Sequence, residues 1–285
     1  MKTRRLTPTI GVEVTGVDLS EPLSDPDFAA VHESWLAHKV AVFPGQHLTE
    51  DALMRFGRRF GELEIHVRST YHSRHNPEVM IVSNKKEEGR AIGVLGDGEA
   101  VWHIDQSYMP RPTFGTILFG EEIPKEGGDT WFADLTTALD RLPASLKSAI
   151  EAKRVINSVD RHNRRDAAGR PDLAMTAEQL KRAPDSTHPL VRTHPLLGTR
   201  ALWYSPSHSA EIEGLSESDS QSLFSELLPH MTQPDLIYKH HWSVGDVVMW
   251  DNTAIMHRRD PFPGHYSRLL KRVSFRYPPE HRVPV

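Results

Sequence analysis

The sequence predicts a mainly β protein with inserted helices, a double-stranded β-helix or jelly roll. Two observations carry that expectation. Short apolar runs rich in valine and isoleucine recur along the chain, with helical patterns set between them. They show no alternating strand–helix rhythm of the kind a parallel sheet needs. At 285 residues the chain has a size that all-β folds often build as one domain, so a single domain over 1–285 is expected.

The totals narrow the field. Against 38 acidic residues stand 34 basic ones, a net charge of −4, which is too balanced to point to nucleic acid or an anionic membrane. The absence of cysteine excludes disulfides, thiolate metal sites and a cysteine nucleophile. Any metal must then use nitrogen and oxygen ligands. The basic start Met1–Arg5 has no apolar run behind it, and no stretch approaches the roughly 18 apolar residues of a membrane span. A cytoplasmic protein is expected.

Taken in order, Ile10–Leu19 alternates apolar with polar or small residues and predicts an opening strand. Ser24-Asp25-Pro26-Asp27 opens a helix to about Lys39, with Phe28, Val31, Trp35 and Leu36 inward. Val40–Phe43 is a buried strand ended by Pro44-Gly45, and Thr49 caps a helix carrying Leu53, Phe56 and Phe60. Met80–Ser83 is a strand, and the glycine-rich, polar stretch 85–99 is expected as a mobile loop. Further strands are expected at Thr116–Phe119 and after the Gly127-Gly128 turn. Asp134 and Pro143 each start a helix. Residues 160–186 are polar and charged and read as an insertion, either a lid or a solvated surface excursion, with one short helix opened by the capping box Thr176-x-x-Gln179. Ala201–Tyr204, Leu236–Tyr238, Val247–Trp250 and Val273–Tyr277 complete the strands, with a helix opened by Ser216-x-x-Asp219 among them.

The chemistry centres on Trp102-His103-Ile104-Asp105. Read as a strand, this segment places His103 and Asp105 two residues apart on one face, an imidazole beside a carboxylate. His257, in Asp251–His257, offers a third ligand. Two histidines and one carboxylate suit a facial iron(II) site with open positions. Zinc can use the same ligands, but its catalytic His-Glu-x-x-His pattern is absent. The groupings His72/His75 and His240/His241 lack an acid at strand spacing and read as surface or core residues. Arg268 and Arg272, eleven and fifteen residues after His257, would share a strand face and want an anion, most naturally a carboxylate.

With these residues in place, the chain resembles the taurine dioxygenase and 2,4-dichlorophenoxyacetate dioxygenase family of Fe(II)- and 2-oxoglutarate-dependent oxygenases. The resemblance runs from Gly16–Leu19 and Phe56–Leu63 through Trp102–Asp105, Gly127–Thr130, His188–Pro195 and Trp250–Asn252 to His257 and the two arginines. It implies His103, Asp105 and His257 as iron ligands, and Thr130 and Arg268 as holders of the distal carboxylate of 2-oxoglutarate. It also implies Arg272 and His66 beside the acidic group of a substrate. Fe(II), 2-oxoglutarate and O2 are the implied cofactors, and succinate and CO2 the co-products. The substrate expected is a small anionic compound: a sulfonate, an aryloxyalkanoate or another carboxylic acid. Taurine itself fits poorly, because a tyrosine of the taurine enzyme falls on Ser69 and an asparagine near Glu99. A homodimer or homotetramer is implied. The rival readings are a zinc-dependent hydrolase using the same triad and a non-catalytic small-molecule-binding jelly roll.

Overall fold

A computed structural model describes residues 1–160 and 175–277. Two sheets form its centre. The larger has eight strands in the order Lys2–Arg5, Val12–Thr15, Val40–Phe43, Val247–Asp251, Gly115–Glu122, Leu269–Phe275, Met80–Ser83 and Val94–Leu95. The smaller has four: Ile237–His240, Thr130–Asp134, Ile255–Arg259 and Ala100–His103. At the centre of both sheets the paired neighbours are far apart in sequence, as a rolled double sheet requires.

Alternation along the strands builds three apolar layers. Val247, Met249, Ile117, Phe119, Val273 and Phe275 turn outward from the large sheet and are covered by two N-terminal helices, Asp25–His38 and Glu50–Arg58. Val248, Trp250, Leu118 and Leu270, the alternate residues, meet Phe132 and Ile255 of the small sheet between the sheets. On the far side, Ala133 and Met256 pack under the helices Leu135–Arg141, Ala144–Ile150 and Glu217–Met231 and against Trp203 and Tyr204.

The local rules mostly hold. Ser24, Thr49, Asp134 and Ser216 each accept from a backbone N–H of the first helical turn, and both bonds of the Thr176–Gln179 capping box are formed at Ala177–Lys181. Val31 and Trp35 are buried, with Phe28 and Leu36 packed beside them. Three expectations need correcting. The strand Lys2–Arg5 was not foreseen, because it is exposed and carries no apolar pattern; it pairs with Val12–Thr15 along its backbone. The stretch expected as a loop at 85–99 instead forms a small hairpin, Lys86–Glu87 with Arg90–Ala91, and then the edge strand Val94–Leu95. Arg259 fastens the end of that edge strand, donating to the carbonyls of Gly96 (2.9 Å) and Leu95 (3.1 Å). Finally, the strand at the iron motif stops at His103, so Asp105 lies in the turn after it. Of the expected lid, residues 161–174 lie outside the described residues. Its flanks Val159, Met175 and Ala183 pack against Val67 and Tyr108.

Candidate active site

His103 and His257 face each other directly across two antiparallel strands, and their ring centroids are 4.1 Å apart. Asp105 swings to the same side although it is off the strand, with its Oδ1 3.9 Å from His103 Nε2. The next residue, Gln106, takes a left-handed backbone (φ 48°), which turns the chain away from the site. Buried Glu64 secures that turn: it accepts from the Gln106 amide and from Thr113 Oγ1 (2.6 Å), and pairs with Arg276 (2.7 Å). Among the described residues, His103, Asp105 and His257 form the one cluster of metal-ligating side chains, with ligand atoms within 4.8 Å of one another.

Each member is oriented by its surroundings. His103 Nδ1 donates to the Val101 carbonyl at 2.8 Å, so Nε2 carries the lone pair and points at Asp105. Burial lowers the pKa of His103, and burial with the neighbouring His103 lowers that of His257 further; both rings are neutral, as metal binding requires. Nδ1 of His257 is buried and finds no hydrogen-bond partner among the described residues. Burial alone would raise the Asp105 carboxyl, but Arg272 and the two imidazoles outweigh it and hold the group well below the usual carboxylate range. Thr116 Oγ1 donates to Asp105 Oδ2 (2.7 Å) and Arg272 Nη1 to Oδ1 (3.0 Å). Asn252 accepts from the Asp105 amide (3.3 Å) and donates to Thr116 (3.0 Å). This set of two neutral nitrogens and one ionised carboxylate fits Fe(II).

Arg268 sits just before the strand Leu269–Phe275, only 2% exposed, with Nη2 3.3 Å from the Gly128 carbonyl and Nε buried without a partner among the described residues. Burial, then the like charge of Arg259, pushes the guanidinium well below its ordinary pKa. Such a group is stable as a cation only beside an anion. Gly128 makes the approach possible: its φ of +72° disfavours a side chain, and a Cβ there would lie 3.2 Å from Arg268 Nε. Thr130 accepts from Trp242 Nε1 at 2.9 Å, which leaves its hydroxyl hydrogen to donate. Trp242 also lies 6.0 Å from the Arg268 guanidinium carbon and so links the two.

A cavity of about 270 Å³ opens beside the triad, walled in part by His66, Arg68, Tyr108, His208 and Arg272. His66 lines this cavity, where it carries no positive charge. Burial, then Arg272 and Arg68, presses its pKa well down, so it is neutral. Its Nδ1 accepts the Arg68 N–H at 3.1 Å, which leaves Nε2–H as a donor. His66 thus offers a hydrogen bond and no positive charge. Leu270 and Arg272 share the inner face as expected, whereas Lys271 turns outward to Glu121 (2.6 Å) and Glu50 (3.4 Å). Sequence reasoning missed Arg68, Tyr108, Thr116 and Trp242. Of these only Tyr108 carried a signal, three residues past Asp105.

Residues 2–274 match the family model described as "Taurine catabolism dioxygenase TauD, TfdA family". The chain belongs to this family. It is similar to the (S)-phenoxypropionate/alpha-ketoglutarate-dioxygenase of Sphingobium herbicidovorans, at 32% identity over 93% of this chain and 91% of that protein. It is also 32% identical to the alpha-ketoglutarate-dependent 2,4-dichlorophenoxyacetate dioxygenase of Cupriavidus pinatubonensis, over 94% and 95% of the two chains. Among solved structures, AAD-2 in complex with Mn(II) and N-oxalylglycine superposes with a TM-score of 0.81 at 29% identity, covering 97% of each chain. As a TauD/TfdA-family protein, the chain is an alpha-ketoglutarate-dependent dioxygenase on a mainly β jelly roll, using Fe(II), 2-oxoglutarate and O2. The hydrolase and non-catalytic readings find no support in these relatives. No helix among the described residues is long and apolar enough to cross a membrane.

Proposed function

We propose that His103, Asp105 and His257 hold Fe(II), that Arg268 and Thr130 hold the distal carboxylate of 2-oxoglutarate, and that Arg272 and His66 orient a small anionic substrate for hydroxylation. The observation that carries this reading is the pairing of a triad of two imidazoles and one carboxylate with a buried Arg268 that has no ion-pair partner among the described residues. The family model covers residues 2–274, which supports one catalytic unit.

When bound, the iron supplies the activation of O2 coupled to oxidative decarboxylation of 2-oxoglutarate. The chain itself positions and excludes water. Thr116, Asn252 and Arg272 fix the carboxylate of Asp105. Arg268 has its buried position compensated when a carboxylate arrives, and Thr130 donates a second hydrogen bond to that group. Arg272 offers the anionic head of the substrate a counter-charge, and His66 Nε2–H a directional contact. An aryloxyalkanoate or another small carboxylic acid matches this seat, as does a sulfonate.

Succinate release with Fe(II), 2-oxoglutarate and O2 across a panel of aryloxyalkanoates, carboxylic acids and sulfonates tests the reading. One class should stimulate turnover, and removal of iron should abolish it. His103→Ala and Asp105→Ala should each drop succinate formation to background and lose tight metal binding. More than a few per cent residual turnover in either variant would take that residue out of the ligand set.

A further inference from the structure

Tyr108 is 3% exposed, yet its hydroxyl has no hydrogen-bond partner among the described residues. The oxygen is not among the sealed, unpartnered polar atoms of the core, and Tyr108 lines the cavity beside the triad. A phenylalanine would fill the same space, so a hydroxyl held on the cavity wall with no protein partner among the described residues is placed to serve a ligand. The ring cannot easily turn elsewhere. It packs with Val67, Val159, Met175 and Ala183, and the edge of His208 meets it at 4.9 Å between centroids. His208 is itself set by Ser107 Oγ at 3.0 Å from its Nδ1.

The charges around this oxygen favour an anion. Arg68 and Arg272 both act on Tyr108 and on His66. The nearby carboxylates are already held: Asp105 by Arg272 (3.0 Å), Glu99 by Arg258 (3.2 Å) and Glu64 by Arg276 (2.7 Å). Burial raises the Tyr108 pKa, so the group stays a phenol and donates. Ser69, where the taurine enzyme has a tyrosine, is exposed in the turn Ser69–Tyr71 and lies outside the cavity wall. The cavity's phenol therefore comes from a different segment.

We propose that the Tyr108 hydroxyl determines substrate specificity by hydrogen-bonding the anionic head of the substrate, on the wall of the cavity that also carries Arg68 and His66. This rests on the dioxygenase reading above and assigns its substrate seat a donor of its own.

The test uses full-length protein loaded with Mn(II) and N-oxalylglycine, which binds without turning over. Calorimetric titrations with phenoxyacetate, benzenesulfonate and the neutral 2-phenoxyethanol are compared for the wild type and Tyr108→Phe, whose ring keeps the packing. Loss of one hydrogen bond to a charged group should weaken the anions by about tenfold or more. Affinity for 2-phenoxyethanol and for N-oxalylglycine should be little changed. Unchanged anion affinity, or an equal loss for anions and the neutral probe, overturns the proposal. A wild-type protein that takes up N-oxalylglycine but neither anion also overturns it, while leaving the dioxygenase reading in place. Failure of the Mn(II)-loaded wild type to bind N-oxalylglycine would strike that reading too.

Discussion

Asp105 shows how one side chain is fixed before any metal arrives. Its two oxygens accept from Thr116 and Arg272, and its amide donates to Asn252. The carboxylate therefore loses little freedom on taking a ligand. Outside the site, His188 gives a prediction at the same scale. It is buried, its Nε2 donates to the Met109 carbonyl at 3.0 Å, and burial, then Arg192, lowers its pKa to about 4. Above the ordinary value of 6.5 both folded and unfolded chains hold it neutral, and it contributes no pH dependence. Between 6.5 and about 4 the unfolded chain takes up a proton that the folded chain refuses, so stability falls as pH falls. By pH 5 the loss from this group is roughly 2 kcal/mol. Urea midpoints for metal-free wild type and His188→Gln, taken between pH 7 and pH 5, should diverge by that amount, the variant losing less. Parallel curves would rule the group out.

Among the elements, the end of the first helix sets two effects against each other. Lys39 caps Asp25–His38 in a left-handed conformation (φ 65°, ψ −24°), a geometry in which glycine is better by about 1 kcal/mol. Its Nζ, however, reaches Asp134 at 2.8 and 2.9 Å, and Asp134 is fully buried at the start of the next-but-one helix, Leu135–Arg141. Breaking a buried pair by removing one partner costs about 3–5 kcal/mol. The ion pair wins: Lys39→Gly should lower stability by about 2–4 kcal/mol in chemical denaturation, and a gain would show that Asp134 is satisfied by its caps alone. The helix ends were legible in the sequence because capping is local: Ser24, Thr49, Asp134 and Ser216 each bond within three residues. The strand Lys2–Arg5 was not, since its stability comes from pairing with Val12–Thr15 and its own residues are all exposed. The same division runs through the site. His103, Asp105 and His257 were readable as a pattern of residue types. Thr116 and Trp242 act through partners remote in sequence, which no local pattern displays.

Across the whole molecule, the site lies where the two sheets approach, with His103 and His257 from the small sheet and Arg272 and Thr116 from the large one. A ligand held there binds the folded state and has no preformed site in the unfolded chain. One ligand at a hundred times its Kd adds about 2.7 kcal/mol. For a domain of this size that should raise Tm by roughly 5 °C. Mn(II) followed by N-oxalylglycine should give two successive rises in a thermal melt, both reversed by a chelator. His103→Ala should abolish the first. A Tm indifferent to Mn(II) in the wild type would mean that the triad does not bind the metal.

The direct pairing of His257 with His103 also has a consequence for biosynthesis. The partners are separated by more than half of the 285 residues, so the second is made long after the first. On the ribosome, an emerging chain carries His103 and Asp105 without the third member of the cluster until residue 257 has been made and its strand has docked. On the proposed ligand set, metal capture is therefore a late step in maturation, and a product truncated before that strand lacks the His257 side chain.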